Sequence, residues 1–137
     1  IDTNMDLSII KIAANSKNNT LLSAYDYILK QKSPVCGDEI EISIKLKNNK
    51  ISKIGYSSRS CIYTDASASL LSNYSKNKSL DEINALTIFL KKYIKNKDLK
   101  FPKKWLIFSK LINKKNLSRK DCLMLPFSTL SKISKKL

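Results

Sequence analysis

Ile40, Ile42, Ile44 and Leu46 alternate with Glu41, Ser43 and Lys45. This period of two constrains the fold more than any other feature, because it demands a strand with one buried and one polar face. Asn48-Asn49 follows, a pair suited to a tight hairpin because asparagine tolerates positive φ. A second strand is expected from about Lys50 to Ser58, so the hairpin should bury its isoleucine face and expose the other.

The rest of the chain reads mainly as helix. Leu7, Ile10 and Ala14 predict a short helix over 6–14, followed by a polar loop at 15–20. Residues 21–29 fit strand or helix. The run Ala66–Leu71 (ASASLL) is small enough for a helix pressed against the sheet. Ser79-Leu80-Asp81-Glu82 has the form of a capping box. Ile83, Leu86, Leu90 and Ile94 continue one apolar face from it. Residues 95–103 form a charged connector. Trp105–Ile112 predicts a short helix with Trp105 as a core anchor. Ser118 is a candidate cap for a last helix holding Cys122 in its first turns. Pro126 should kink that helix or delay its start. The fold class expected is α+β: a small antiparallel sheet of about three strands packed against several helices.

With 137 residues, 42% of them hydrophobic, the chain suits one domain spanning 1–137. Residues 1–4 precede Met5, a candidate native start that would make them an upstream extension. No apolar run approaches the ~20 residues of a membrane span, and no Arg-led signal segment opens the chain. A soluble, cytoplasmic protein is expected, and an odd count of three cysteines fits a reducing compartment. The formal charge is +15, but of 26 basic residues only Arg59 and Arg119 are arginine. Base readout favours arginine and stacking aromatics, so a solvated lysine surface is a better reading than a nucleic-acid face. A basic nucleic-acid or acidic-partner module with a structural zinc is the alternative.

The chemistry must come from few side chains. There is no histidine, which removes Ser-His and Cys-His catalysis. Cys36, Cys61 and Cys122 remain, with Asp38 two residues beyond Cys36. Three thiolates and a carboxylate are a reasonable tetrahedral ligand set. Cys36 lies in a turn where Gly37 can take a geometry other residues avoid. Cys61 and Cys122 fall near helix starts, where thiolates are favoured, and Arg119 or Lys120 is expected to favour thiolate at Cys122. No CxxC pair occurs, so spacing equally permits three unrelated packed cysteines.

The surrounding residues carry a resemblance. Pro34-Val35-Cys36-Gly37-Asp38 before the strand EIEISIKL, Ser60-Cys61-Ile62-Tyr63-Thr64-Asp65-Ala66-Ser67-Ala68-Ser69, and Arg119-Lys120-Asp121-Cys122-Leu123-Met124-Leu125-Pro126-Phe127 resemble, in order, the three cysteine motifs of the iron–sulfur scaffold family that includes IscU, SufU and the N-terminal part of NifU. The resemblance covers about residues 6–134. Asp121 stands where the IscU branch has histidine, the Cys61–Cys122 interval is long, and Arg119 lies three before the last cysteine; these features resemble the SufU branch. The resemblance implies a SufE/NifU-like fold and a site of Cys36, Asp38, Cys61 and Cys122 holding Zn2+ or a labile [2Fe–2S] cluster. It implies that Cys36 accepts sulfur from a SufS-type cysteine desulfurase and that recipient apo iron–sulfur proteins are partners. The protein would be a scaffold or sulfur acceptor, not an enzyme. The chain departs from the family pattern at Ser60, where glycine is common, and at Tyr56-Ser57-Ser58-Arg59, in place of a Gly-rich strand end. Asp65 replaces a neutral residue, and Leu117-Ser118 replaces a proline.

Overall fold

The computed structural model describes residues 7–135; Met5, the proposed extension before it and Asp6 of the expected first helix lie outside them. The elements run in the order α1 (Leu7–Ala14), β1 (Tyr27–Lys32), β2 (Glu39–Lys47), β3 (Lys50–Arg59), α2 (Ile62–Ser75), α3 (Leu80–Lys95) and α4 (Lys120–Ser134). Two 3-10 segments, Lys103–Lys110 and Lys114–Arg119, link α3 to α4. The strands form an antiparallel sheet in the order β1-β2-β3, the α+β architecture read from the sequence. Tyr27–Lys32, from the ambiguous region onward, supplies the third strand.

The β2–β3 hairpin turns through Asn48 and Asn49, both at positive φ (54° and 62°), with Lys47 opposite Lys50. The alternation of β3 breaks between Ile51 and Ile54, yet both are buried. A bulge at Ser52 accounts for this. The register jumps from Lys45↔Lys53 to Leu46↔Ile51, and the extra residue returns Ile51 to the core face. The Ser52 hydroxyl donates to the Lys45 carbonyl at 3.0 Å. The polar face of the hairpin is less exposed than expected. Ser43 is fully buried because residues 18–22 cross behind it. Its hydroxyl accepts the Leu22 N–H at 2.9 Å, and Tyr56 N–H donates to the Asn18 carbonyl at 2.9 Å. At the other end of β3, the Ile51 N–H donates to the Lys78 carbonyl. These two loops satisfy groups on an edge that would otherwise invite pairing with another chain.

α2 and α4 cover the inner face of the sheet, with α3 against α4 and α1 against α2. α1 buries Ile9, with Ile12 and Ala13 packed beside it. Leu7 and Ile10, the expected inward residues, are exposed, because Ile9, Ile12 and Ala13 make the i, i+3, i+4 stripe that meets α2. Ser79 caps α3 by accepting the Glu82 N–H at 3.1 Å. Ile83, Leu86 and Leu90 are buried as expected, joined by Tyr93, while Ile94 is partly buried. Trp105 is buried and donates through Nε1 to the Tyr74 hydroxyl at 3.1 Å.

Three expectations near the C-terminus are corrected. The stretch around Trp105 is 3-10 rather than α-helix. Ser118 does not cap α4; it lies within the second 3-10 segment, and Arg119 holds the cap position without a side-chain cap bond. Pro126 does not delay the start of α4, which begins six residues earlier and continues past it. A proline N lacks the hydrogen that would bond the carbonyl four residues back, here that of Cys122. The Thr64 hydroxyl reaches that carbonyl at 2.9 Å, and the Ser67 hydroxyl donates to the next one, Leu123, at 2.5 Å. Thr64 and Ser67 share one face of α2, so the small polar residues of this helix support the proline-containing turn of α4.

Gly55 is needed because a Cβ there would lie 2.2 Å from the Thr20 carbonyl oxygen. Gly55→Ala is expected to destabilise the fold by about 1–3 kcal/mol through overpacking against backbone, seen as a lower midpoint in urea unfolding.

Candidate metal and sulfur site

Antiparallel register explains why distant cysteines meet. Glu39 pairs with Arg59, so the residues just before β2 and just after β3 lie side by side. The first group holds Cys36 and Asp38, the second Ser60 and Cys61. The Cys36 loop is a compact turn. The Ser33 N–H donates to the Asp38 carbonyl at 2.8 Å, and Gly37 N–H to the Ser33 carbonyl at 3.1 Å. The Ser33 hydroxyl accepts the Val35 and Cys36 N–H groups, both at 3.3 Å. Gly37 sits at φ 74°, as its place in the motif predicted. The turn lifts Cys36 into solvent, beside an exposed Val35.

Cys61 is half-buried at the start of α2, and Cys122 is buried in the first turn of α4. The Asp38 carboxylate ties these segments together. One oxygen accepts the Cys61 N–H at 3.3 Å and the Thr64 hydroxyl at 2.8 Å. Thr64 in turn reaches the Cys122 carbonyl. Cys36 Sγ, a carboxylate oxygen of Asp38 and Cys122 Sγ all lie within 4.8 Å of one another. Cys61 belongs to the same locality but not to that tight group: its thiol stands 3.9 Å from the Thr64 hydroxyl. Asp121, at the position noted for histidine, is exposed and outside the group.

A model of the family described as NifU-like N terminal domain matches residues 6–105. The chain belongs to the NifU-like N-terminal domain family. Its members are scaffolds for iron–sulfur clusters. No curated protein matches the sequence. Among solved structures, the N-terminal part of a nitrogen-fixing NifU-like protein from Brucella abortus superposes with a TM-score of 0.85 at 15% identity, covering 96% of this chain and 92% of that one. A putative iron–sulfur cluster assembly scaffold for the SUF system from Fervidobacterium islandicum gives a TM-score of 0.78 at 20% identity, with 95% and 96% covered. At these identities the likeness is one of fold.

In this NifU-like domain the electrostatics divide the candidate ligands. Burial works to raise the Asp38 pKa, but hydrogen bonds from Thr64, from the Cys61 thiol and N–H, and from the Cys122 thiol outweigh it and hold the carboxyl below its ordinary value. Cys122 goes the other way. Burial first, then the neighbouring Cys61 and Cys36 thiols, push its pKa far above the usual thiol range. The expectation that Arg119 or Lys120 favours thiolate there is therefore corrected for the metal-free protein. Both side chains are exposed, and the Arg119 guanidinium lies over the Tyr63 ring, 5.3 Å from its centroid.

Three departures from the family pattern prove to be one interaction. The Ser58 and Ser60 hydroxyls both donate to Asp65 Oδ1, at 2.6 and 2.9 Å, so Asp65 clips the end of β3 to α2 across the Cys61 junction. Sequence reasoning misses Thr64, the Asp65 clip and Ser33 as site residues. The one available signal is a hydroxyl three residues after Cys61, where a helical turn brings it back beside the cysteine.

The donors suit a metal in number and size. Thiolates at about 2.3 Å from one tetrahedral zinc lie roughly 3.7 Å apart, so a group within 4.8 Å is compact enough to share one ion after small side-chain adjustments. Thiol alkylation of the metal-free protein, followed by peptide mass mapping, is expected to modify Cys36 first and Cys122 last. Alkaline stability provides a second test. Because the folded state keeps the Cys122 proton where the unfolded chain, with a thiol pKa near 9.0, releases it, stability from this group is present below about pH 9 and falls as pH rises above it. Cys122→Ala should flatten that decline relative to wild type in urea unfolding series across about pH 8–10.

Proposed function

We propose that this domain accepts sulfane sulfur at Cys36 from a SufS-type cysteine desulfurase and passes it on, or assembles it into a transient [2Fe–2S] cluster for recipient apoproteins. The single observation that carries this reading is the exposed Cys36, raised on the Gly37 turn within 4.8 Å of Asp38 and the buried Cys122. A cysteine so placed can meet a partner's persulfide while its neighbours wait behind it. The ligand set is Cys36, Asp38, Cys61 and Cys122, with Cys61 turning toward the other three on loading. A bound Zn2+ would keep these sulfurs deprotonated. The absence of histidine and the position of Asp121 support a SufU-like branch, and three free thiols suit the reducing cytoplasm.

The transfer step balances without an external oxidant. The Cys36 thiolate attacks the terminal sulfur of the donor persulfide. The donor S–S bond breaks as a new S–S bond forms on Cys36, and the donor cysteine leaves as a thiolate. Sulfur extraction from cysteine belongs to the desulfurase, so this chain is an acceptor and scaffold rather than an enzyme. Burial keeps Cys122 protonated until a cation displaces its proton, so metal loading should release protons and strengthen with pH.

Cys36→Ala is expected to abolish 35S transfer from a desulfurase charged with labelled cysteine; full labelling of that variant would exclude Cys36 as the acceptor. Asp38→Ala is expected to slow the release of metal or cluster to a chelator, whatever it does to equilibrium affinity, because the labile ligand position at which exchange begins is lost. Faster loss would show instead that Asp38 acts mainly as the acceptor organising Cys61 and Thr64.

A further inference from the structure

Thr64 is fully buried, and its hydroxyl lies within donating distance of two acceptors, Asp38 Oδ2 at 2.8 Å and the Cys122 carbonyl at 2.9 Å. A threonine hydroxyl has one hydrogen, and an ionised carboxylate and a carbonyl can only accept. One of the two bonds is therefore unmade, or both are half-made, at any moment. The reason for the competition is Pro126. In an ordinary α-helix the amide of residue 126 would bond the Cys122 carbonyl; proline has no such hydrogen. The carbonyl is left to Thr64, which also faces Asp38.

We propose that Thr64 is a positioning residue that hands Asp38 over to the metal by moving its hydroxyl proton between these two acceptors. With the site empty of metal, the proton goes to the Asp38 carboxylate, the stronger acceptor because it is charged, and holds it beside the Cys61 N–H. When Asp38 turns an electron pair to a cation, the hydroxyl rotates to the Cys122 carbonyl, which Pro126 leaves without an amide donor. The bond lost at Asp38 is replaced at Cys122, so Asp38 engages and leaves with little net change in hydrogen bonding. The same rotation couples Asp38 to the backbone of a second ligand residue. Ser67, one turn along α2, plays no part in this exchange, since its hydroxyl is committed to the Leu123 carbonyl.

This inference rests on the proposed role of Asp38 as a metal ligand, and a double-mutant cycle separates the two. Pro126→Ala returns an amide hydrogen to the Cys122 carbonyl and leaves Thr64 on Asp38. Zinc affinity, measured by competition with a chromogenic chelator at fixed pH, should then weaken about three- to tenfold, the worth of one hydrogen bond. In a Thr64→Val background, Pro126→Ala should leave zinc affinity unchanged; in a Thr64→Ser background, which keeps the hydroxyl, the weakening should return. Urea unfolding of the metal-free variants gives an independent reading. Thr64→Val should lower the midpoint by the same amount with and without Pro126→Ala, because without metal the hydroxyl donates to Asp38 and not to the Cys122 carbonyl. Equal zinc effects of Pro126→Ala with and without the Thr64 hydroxyl would overturn the handover while leaving Asp38 a ligand. A smaller loss of midpoint on Thr64→Val in the Pro126→Ala background would overturn it too, because it would place the metal-free hydroxyl on the Cys122 carbonyl. Zinc affinity indifferent to Asp38→Ala would overturn the ligand assignment and the handover with it.

Discussion

The Asp38 carboxylate is the junction on which the site depends. It draws in the backbone of Cys61 from the end of β3 and the hydroxyl of Thr64 from α2, and that hydroxyl also lies 2.9 Å from the carbonyl of Cys122 on α4. Three cysteines from three chain segments are thereby held near one point by bonds to carboxylate, hydroxyl and backbone groups. That arrangement leaves the thiols available for chemistry. It also means Asp38 has a structural duty in the metal-free domain beyond any it serves as a ligand. A carboxylate accepting several hydrogen bonds stays ionised at ordinary pH despite partial burial, so the junction does not compete with itself for protons.

The scaffold beneath this junction is shaped by hydroxyls as much as by hydrocarbon. α2 turns Thr64 and Ser67 toward α4, where Pro126 leaves the Cys122 carbonyl without an amide donor; the Thr64 hydroxyl reaches that carbonyl, and the Ser67 hydroxyl donates to the next one, Leu123. Ser75, Thr87 and Thr129 satisfy themselves by bonding a carbonyl four residues back on their own helices. Small side chains let α2 and α4 approach closely, and the isoleucines of the hairpin fill the space against the sheet. Buried polar atoms are mostly paired, so the Thr64 and Ser67 hydroxyls, which cross from α2 to α4, favour one relative placement of these two helices where apolar residues alone would allow sliding. That restriction fixes Cys122 relative to Cys61.

Some of this is legible in the residues. The alternation around Ile42 and the Asn48-Asn49 pair specify a hairpin because they are local, and local patterns survive into the fold. The cap at Ser79 is local too. Spacing alone turns the wrong face of the first helix inward, because Leu7, Ile10 and Ala14 fit helical periodicity as well as Ile9, Ile12 and Ala13 do. Only contact with α2 selects between the stripes. Ser118 resembles a cap because it precedes a helix, yet the 3-10 segment carries the chain one residue beyond it before the α-helix starts. Pro126 resembles a break because its own helix offers no amide donor for the Cys122 carbonyl; the donor sits 58 residues earlier.

The amino-acid sequence alone determined the class of fold, the inventory of possible ligands and the exclusion of histidine chemistry, since periodicity, turn residues and the presence or absence of a side chain need no neighbours to be read. Its motifs also pointed to the scaffold family. Tertiary structure decided which candidate ligands stand together. Cys36, Asp38 and Cys122 converge tightly while Cys61 faces Thr64, because hairpin register and the packing of α2 on α4 set those distances. It likewise decided that Cys122 keeps its proton, since burial and two neighbouring thiols outweigh the helix terminus that sequence position suggested. Distances and desolvation are properties of segments far apart in the chain, and they come into being only when those segments meet.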